Sequence, residues 1–270
     1  MGKTTKPEQF QQILGIRFFT GDLSTLIRLT EQGGLVVVPS APVLVDLLGD
    51  PTHRQALEHS DIAITDSGYM VLLWRLLRGQ RLPRISGLRF LRALLPRLRM
   101  LDPSAAFWIM PSAVDAVANR VWLKKQGVDV LQEACYVAPI YPSGSIEDPK
   151  LRSLLEKRNP RYIFVNLGGG VQERLGYYLR QNLSVFEAGI GNAARPLGAP
   201  QCPAIICTGA AIAFLSGQQA NIPPWADRLV LGWLMRTLQN PKRFVPRYWR
   251  ALRLAPLLWQ YGIRSVSPAK

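Results

Sequence analysis

Acidic side chains are scarce in this chain. It carries 18 Asp and Glu against 33 Lys and Arg, a formal net charge of +15 over 270 residues. Such an excess implies an anionic partner: nucleic acid, anionic lipid or a phosphorylated substrate. Two stretches lack acids altogether. Ser67 to Leu101 holds eight arginines, and Arg228 to Lys270 holds nine Lys or Arg. A solvated face ordinarily mixes both signs, so both stretches read as anion-facing. Cysteine and histidine are also rare. Cys135, Cys202 and Cys207, with His53 and His59, have neither the number nor the spacing of a disulfide framework or a zinc site. The cysteines are expected as free thiols in a reducing cytoplasm, and no metal is expected. Long apolar runs are missing: none reaches 18 residues, so no transmembrane helix is expected. MGKTTKPEQFQQ lacks the apolar segment of a secretory signal. Membrane contact would be peripheral, on the cytoplasmic face of the plasma membrane. No nucleic-acid motif appears, so nucleic acid is not the expected partner.

With 48% hydrophobic residues, a packed core is expected. Short apolar runs alternate with helical patterns. Strands are expected at Gly34 to Val38, Ile62 to Thr65, Ala106 to Met110, from Val128 to Val130, at Tyr162 to Asn166 and at Ala204 to Cys207. Helices are expected around Val43 to Leu48, Tyr69 to Leu77, Gly87 to Leu98, Ser112 to Gln126, Pro149 to Arg158 and Val171 to Gln181. This alternation predicts an α/β fold, a mostly parallel sheet with helices on both faces. After Pro223 no strand-like run occurs and Trp, Arg and Leu dominate. A core over residues 1–222 and a helical appendage over 223–270 are expected, with the boundary near Ile222 to Trp225.

Three segments could carry chemistry. Thr65-Asp66-Ser67-Gly68 follows a strand and precedes a helix. Ligands of parallel sheets bind at the carboxyl ends of strands, so Asp66 could serve there as a general base. Asp-Ser-Gly equally suits a helix cap or a turn. Asn166-Leu167-Gly168-Gly169-Gly170-Val171-Gln172-Glu173 has three glycines between strand and helix, where backbone amides could approach a phosphate. A tight turn is the plainer explanation. In the tail, Trp249, Leu252, Pro256 and Trp259 recur near helical spacing, with Arg247, Arg250 and Arg253 between them. That composition suits a helix lying in a lipid interface, and also an amphipathic helix packed on the core.

The order of these motifs resembles the WecG/TagA/CpsF glycosyltransferases from Ile13 to about Tyr248. ITDSGYMVLLWRLLRG with RISG, then NLGGGVQERL, then the long closing run from ICTGAAIAFLSG to PKRFVPRY carry the likeness. The resemblance implies a Rossmann-like inverting transferase that takes an N-acetylmannosamine-type sugar from a UDP donor to a polyprenyl-diphosphate-linked acceptor, with no cofactor. It places Asp66 on the catalytic base and Arg84 on a substrate-binding arginine. Ser40, Gly68, Gly168, Gly169, Gly170, Gln172, Glu173 and Gly209 fall on substrate-binding motifs. Arg236, Arg243 and Arg247, joined by Trp249 and Arg250, fall in the appendage facing acceptor and membrane. A homo-oligomer is compatible with this reading. Some family polar groups are replaced: Thr-x-Asn-x-Glu becomes Val38-Pro39-Ser40-Ala41-Pro42, and Gly-Ser-Asp-Leu becomes Gly87-Leu88-Arg89-Phe90. The alternative is therefore a nucleotide-sugar-binding partner protein with impaired catalysis.

Overall fold

The computed structural model describes residues 9–183, 202–218 and 232–267. The expected boundary near Ile222 to Trp225 lies outside the described residues. An eight-stranded sheet runs through the molecule in the order β1-β2-β4-β3-β8-β7-β5-β6. The strands are β1 (Phe10–Ile13), β2 (Ile16–Phe19), β3 (Gly34–Val37), β4 (Ile62–Ile64), β5 (Ala106–Met110), β6 (Cys135–Val137), β7 (Tyr162–Val165) and β8 (Ala204–Cys207). β1 and β2 pair antiparallel and every other pairing is parallel. The expected Rossmann-like α/β architecture is therefore the observed one.

Helices cover both faces, because the central strands are apolar on both sides. On β3, Leu35 and Val37 join one core cluster, while Val36, with Val38 just after the strand, joins the other. The first cluster is closed by α2 (Ala41–Val45), α3 (Pro51–Glu58), α4 (Gly68–Arg78), α7 (Pro149–Arg158) and α8 (Val171–Asn182). The second is closed by α1 (Leu23–Thr30), α5 (Gly87–Arg99), α6 (Ala113–Lys125) and α9 (Ala211–Leu215). α8 lies close on the sheet because Gly176 has no side chain. A Cβ there would stand 2.7 Å from Cys207 Sγ and 2.8 Å from Leu35 Cδ1.

One strand lies elsewhere than the sequence suggested. Val128 to Val130 is not a strand; the strand after α6 is β6. Gly127, at φ +77°, ends the helix, its amide donating to Lys124 O and the Val128 amide to Leu123 O, each at 2.9 Å. This is the Schellman arrangement, in which the apolar residue after the glycine packs back on the last helical turn. Val128 is buried for that reason.

Three further helices follow residue 231: α10 (Gly232–Gln239), α11 (Pro241–Ala251) and α12 (Leu254–Tyr261). α11 packs on α2, and α12 packs on α2 and α4. Ala251, Leu254, Leu257, Leu258 and Val266 are buried in the first core cluster. Trp249, Leu252, Pro256 and Trp259 lie on the opposite, exposed face. The tail therefore packs on the core and still presents Trp249 and Trp259 outward. Among the described residues, no helix is long and apolar enough to cross a membrane.

Candidate active site

After β4 the chain crosses to the other half of the sheet, and β8 inserts between the halves. Such a switch opens a crevice at the carboxyl ends of the strands. A cleft of ≈ 490 Å³ lies there, within the usual range for small-molecule sites. Its walls include Ser40 after β3, Asp66 after β4, Gly168, Gly169 and Gln172 after β7, and Thr208 and Gly209 after β8. Segments far apart in sequence thus converge on one cavity.

Asp66 is held by its neighbours. Its Oδ1 accepts from the Gly87 amide at 2.9 Å, at the start of α5. Ser67, not Asp66, caps α4, its hydroxyl accepting from the Met70 amide at 3.2 Å. The Asp66 carboxylate therefore steadies α5, the helix that begins 21 residues later, while still lining the cleft. Arg84 sits beside it, with Nε donating to the Asp66 carbonyl at 2.9 Å. Arg84 and Gly68 are not among the lining residues.

The glycine turn divides in use. Gly168 and Gly169 are exposed on the cleft wall. The Gly170 amide already donates to Glu173 at 2.6 Å, so in this arrangement it is engaged within the protein. Glu173 is fully buried and also accepts from Gln172 Nε2 at 2.9 Å. Gln172 Oε1 is buried without a hydrogen-bond partner. A buried acceptor left unpaired is costly, so a site with an orphan oxygen on its wall is suited to a ligand hydroxyl or N–H. Gly209, at φ +58°, leaves room beside that amide. A Cβ there would lie 3.3 Å from both Gln172 side-chain polar atoms.

The tail reaches the same cleft. Phe244 and Arg247 line it, and Arg247 Nη2 donates to Ser40 Oγ at 3.4 Å. A second groove shares Gly169 and is lined by His53, Arg174, Arg250 and Arg253. In it Arg250 pairs with Asp46 at 2.5 Å. Trp249 is exposed. Arg236 and Arg243 fall on α10 and α11, but their side chains lie outside the described residues.

Several lining residues were not singled out from the sequence. Asp115 and Asn119 enter from α6 and Thr208 from the end of β8, beside Asn166 of the glycine-turn segment. The signal for Asp115 is Ser112-x-x-Asp115, where the serine caps the helix and donates to the carboxylate at 2.5 Å. Asn166 is anchored by Nδ2 donating to Ile109 O at 3.3 Å, and Thr208 donates to its Oδ1 at 3.4 Å. A polar side chain ending a buried strand is the general signal for both. The three cysteines form no disulfide.

The model of the Glycosyl transferase WecG/TagA/CpsF family matches residues 11–267, nearly the whole chain. No curated protein matches it.

Proposed function

The chain belongs to the WecG/TagA/CpsF family of glycosyl transferases, and from that premise we propose that it transfers an N-acetylmannosamine-type sugar from a UDP donor to a polyprenyl-diphosphate-linked acceptor. Family membership makes it a glycosyltransferase of cell-surface polysaccharide biosynthesis. The observation that carries the finer reading is the meeting of Asp66 and the glycine turn in one cleft at the carboxyl edge of the sheet.

In this mechanism the acceptor hydroxyl attacks the anomeric carbon from the face opposite UDP. A bond forms from the acceptor oxygen to that carbon as the bond to the diphosphate oxygen breaks. Asp66 takes the hydroxyl proton. The electron pair leaves with UDP, and the configuration inverts. Charge building on the diphosphate is offset by amides of the Gly168-Gly169 turn at the start of α8 and by Arg247, with Arg84 holding the Asp66 loop. Gln172 Oε1 accepts from a hydroxyl or N–H of the donor. The lipid-linked acceptor places this work at a membrane surface. The exposed Trp249, Leu252 and Trp259 among tail arginines support peripheral attachment there.

A second reading is a binder of nucleotide sugars that no longer turns over. It is favoured by Val38 and Ser40 on the cleft wall, where the family pattern has Thr and Asn. One assay separates the two. Purified protein is incubated with UDP-sugars and short-chain polyprenyl-diphosphate acceptors, and UDP release is followed. Acceptor-dependent release supports the transferase. Binding of UDP-sugars by calorimetry with no release under any pairing supports the binder.

A further inference from the structure

The two acid-free stretches of the sequence meet in space. α4 lies in the first and α12 in the second, and the helices pack together. Between them runs a groove lined by Trp74, Arg78, Trp259, Ile263 and Arg264. Arg78 closes over the end of α12: a Cβ on Gly262 would stand within 2.2 Å of its Nη2. Glu58, which reaches the end of the tail, is engaged by the Ser265 hydroxyl.

α4 has an unusual outer face. Met70 and Trp74 bury its inner side. Outward, Leu72 is 52% exposed and Leu76 70% exposed, with Arg75 exposed between them. These positions are spaced i, i+3, i+4, so they form one stripe. The neighbouring α12 shows Trp259 outward, and Ile263 is exposed just after its end. Apolar side chains interleaved with arginine, without an acid in either stretch, are the pattern of an interfacial helix on an anionic bilayer.

We infer that α4 is a second membrane-contacting element, laying Leu72, Arg75 and Leu76 on an anionic lipid surface beside the tail. The inference rests on the peripheral-membrane reading above and adds an element from the sheet-bearing part of the chain. It also bears on catalysis. α4 begins at Gly68, two residues after Asp66. From Gly68 to Leu76 the helix rises through eight steps, about 12 Å. A lipid-borne acceptor leaving the surface at Leu76 would need to follow only that length to reach the base.

The test uses the full chain with vesicles of phosphatidylglycerol and phosphatidylcholine, and with phosphatidylcholine alone. Leu72→Ser combined with Leu76→Ser should weaken partition onto the anionic vesicles roughly tenfold. Arg75→Gln should weaken it about fivefold, the equivalent of one basic residue near the surface. Val117→Ser, an exposed apolar residue on α6, should leave it unchanged. All four substituted residues are exposed, so melting temperatures should match the parent, and a fall in melting temperature in the Leu72/Leu76 variant would itself place the stripe in the packed structure. If the parent binds anionic vesicles and the Leu72/Leu76 variant binds equally well, the α4 inference is overturned while the tail reading stands. If the parent itself shows no preference for anionic vesicles, the reading on which the inference rests is overturned. A shift in sedimentation coefficient of the Leu72/Leu76 variant, with partition unchanged, would identify the stripe as a contact between copies of the chain instead.

Discussion

One carboxylate oxygen of Asp66 accepts from the Gly87 amide, and Asn at this position can keep that bond while removing the proton-accepting carboxylate. Asp66→Asn should therefore melt near the parent, bind UDP normally and lower turnover by roughly 10²–10⁴-fold. Turnover within a few-fold of the parent would remove Asp66 from the proton transfer. The glycine turn can be probed with equal selectivity if the right glycine is chosen. A Cβ on Gly169 would stand 2.5 Å from Val43 Cγ2, a buried side chain, so substitution there disturbs packing. A Cβ on Gly168 meets nothing within 4 Å and points into open space on the cleft wall. Gly168→Val should weaken UDP binding in calorimetry with little change in melting temperature, whereas Gly169→Val should lower the melting temperature. Unchanged UDP affinity in Gly168→Val would leave the turn as a purely structural feature. The thiols offer a further check. Burial pushes the Cys135 thiol up to about 11, and burial with the nearby Glu173 pushes Cys207 well above its ordinary value. At pH 8 a thiol with a pKa near 11 is thiolate on the order of one part in a thousand, so a disulfide reagent should label Cys202 and spare the other two. Mass-mapped labelling of native protein decides it.

At the scale of elements, short helices depend on their ends. α3 is capped by Asp50, whose Oδ1 accepts from the His53 amide at 2.9 Å, with Pro51 at the first helical position. Burial raises the Asp50 pKa, but the His53 amide, the Thr52 hydroxyl and Arg174 outweigh it and hold the carboxyl below its ordinary value. A depressed carboxylate contributes stability that is complete above its unfolded pKa of about 3.9 and lost as pH falls through the folded value. Asp50→Ala should thus cost about 1 kcal/mol near neutral pH, and the gap from the parent should narrow below about pH 4. A constant gap in denaturant titrations from pH 7 to 3 would contradict this. The legibility of the elements follows similar physics. Runs buried on both faces, such as AFWIM and AIIC, announce themselves by composition, and both strands fall where the sequence puts them. β1 and β2 were not foreseen, because their two-residue loop places Leu14 at φ +53° beside Gly15, where asparagine or glycine is the usual signal. Val128 misled because an apolar residue closing a Schellman motif looks like the start of a strand. In the site, Asp66 and the glycine turn were visible as motifs next to strands. Asp115 and Asn119 were not, since they reach the cleft from the side of α6, and only the fold brings that helix to the carboxyl edge.

On the scale of the whole molecule, the tail and the sheet-bearing part are joined through one core. The hairpin loop receives the tail directly: the Leu14 amide donates to Gly262 O at 2.7 Å, and a Cβ on Gly15 would lie 2.8 Å from Ser265 Cα. Leu254, Leu257, Leu258 and Val266 are buried in the first cluster. Each such side chain contributes about 1.5–3 kcal/mol by burial, or roughly 6–12 kcal/mol for the four as an upper bound. A domain of this kind is stable by only about 5–15 kcal/mol in total. Truncation after Ala226 is therefore expected to remove a share of the core comparable to the whole stability. The shortened chain should aggregate or melt far below the parent, and it should lose UDP binding along with vesicle binding. Surface substitution separates the two roles of the tail. Trp249→Ser with Trp259→Ser alters side chains that are 74% and 73% exposed, so the fold should hold. That variant should keep UDP affinity and melting temperature while losing most of its preference for anionic over neutral vesicles. It should also lose more activity on long-chain lipid acceptors than on short soluble ones. If the truncated chain instead melts like the parent and binds UDP as tightly, the tail is an independent appendage and the shared core contributes little to stability.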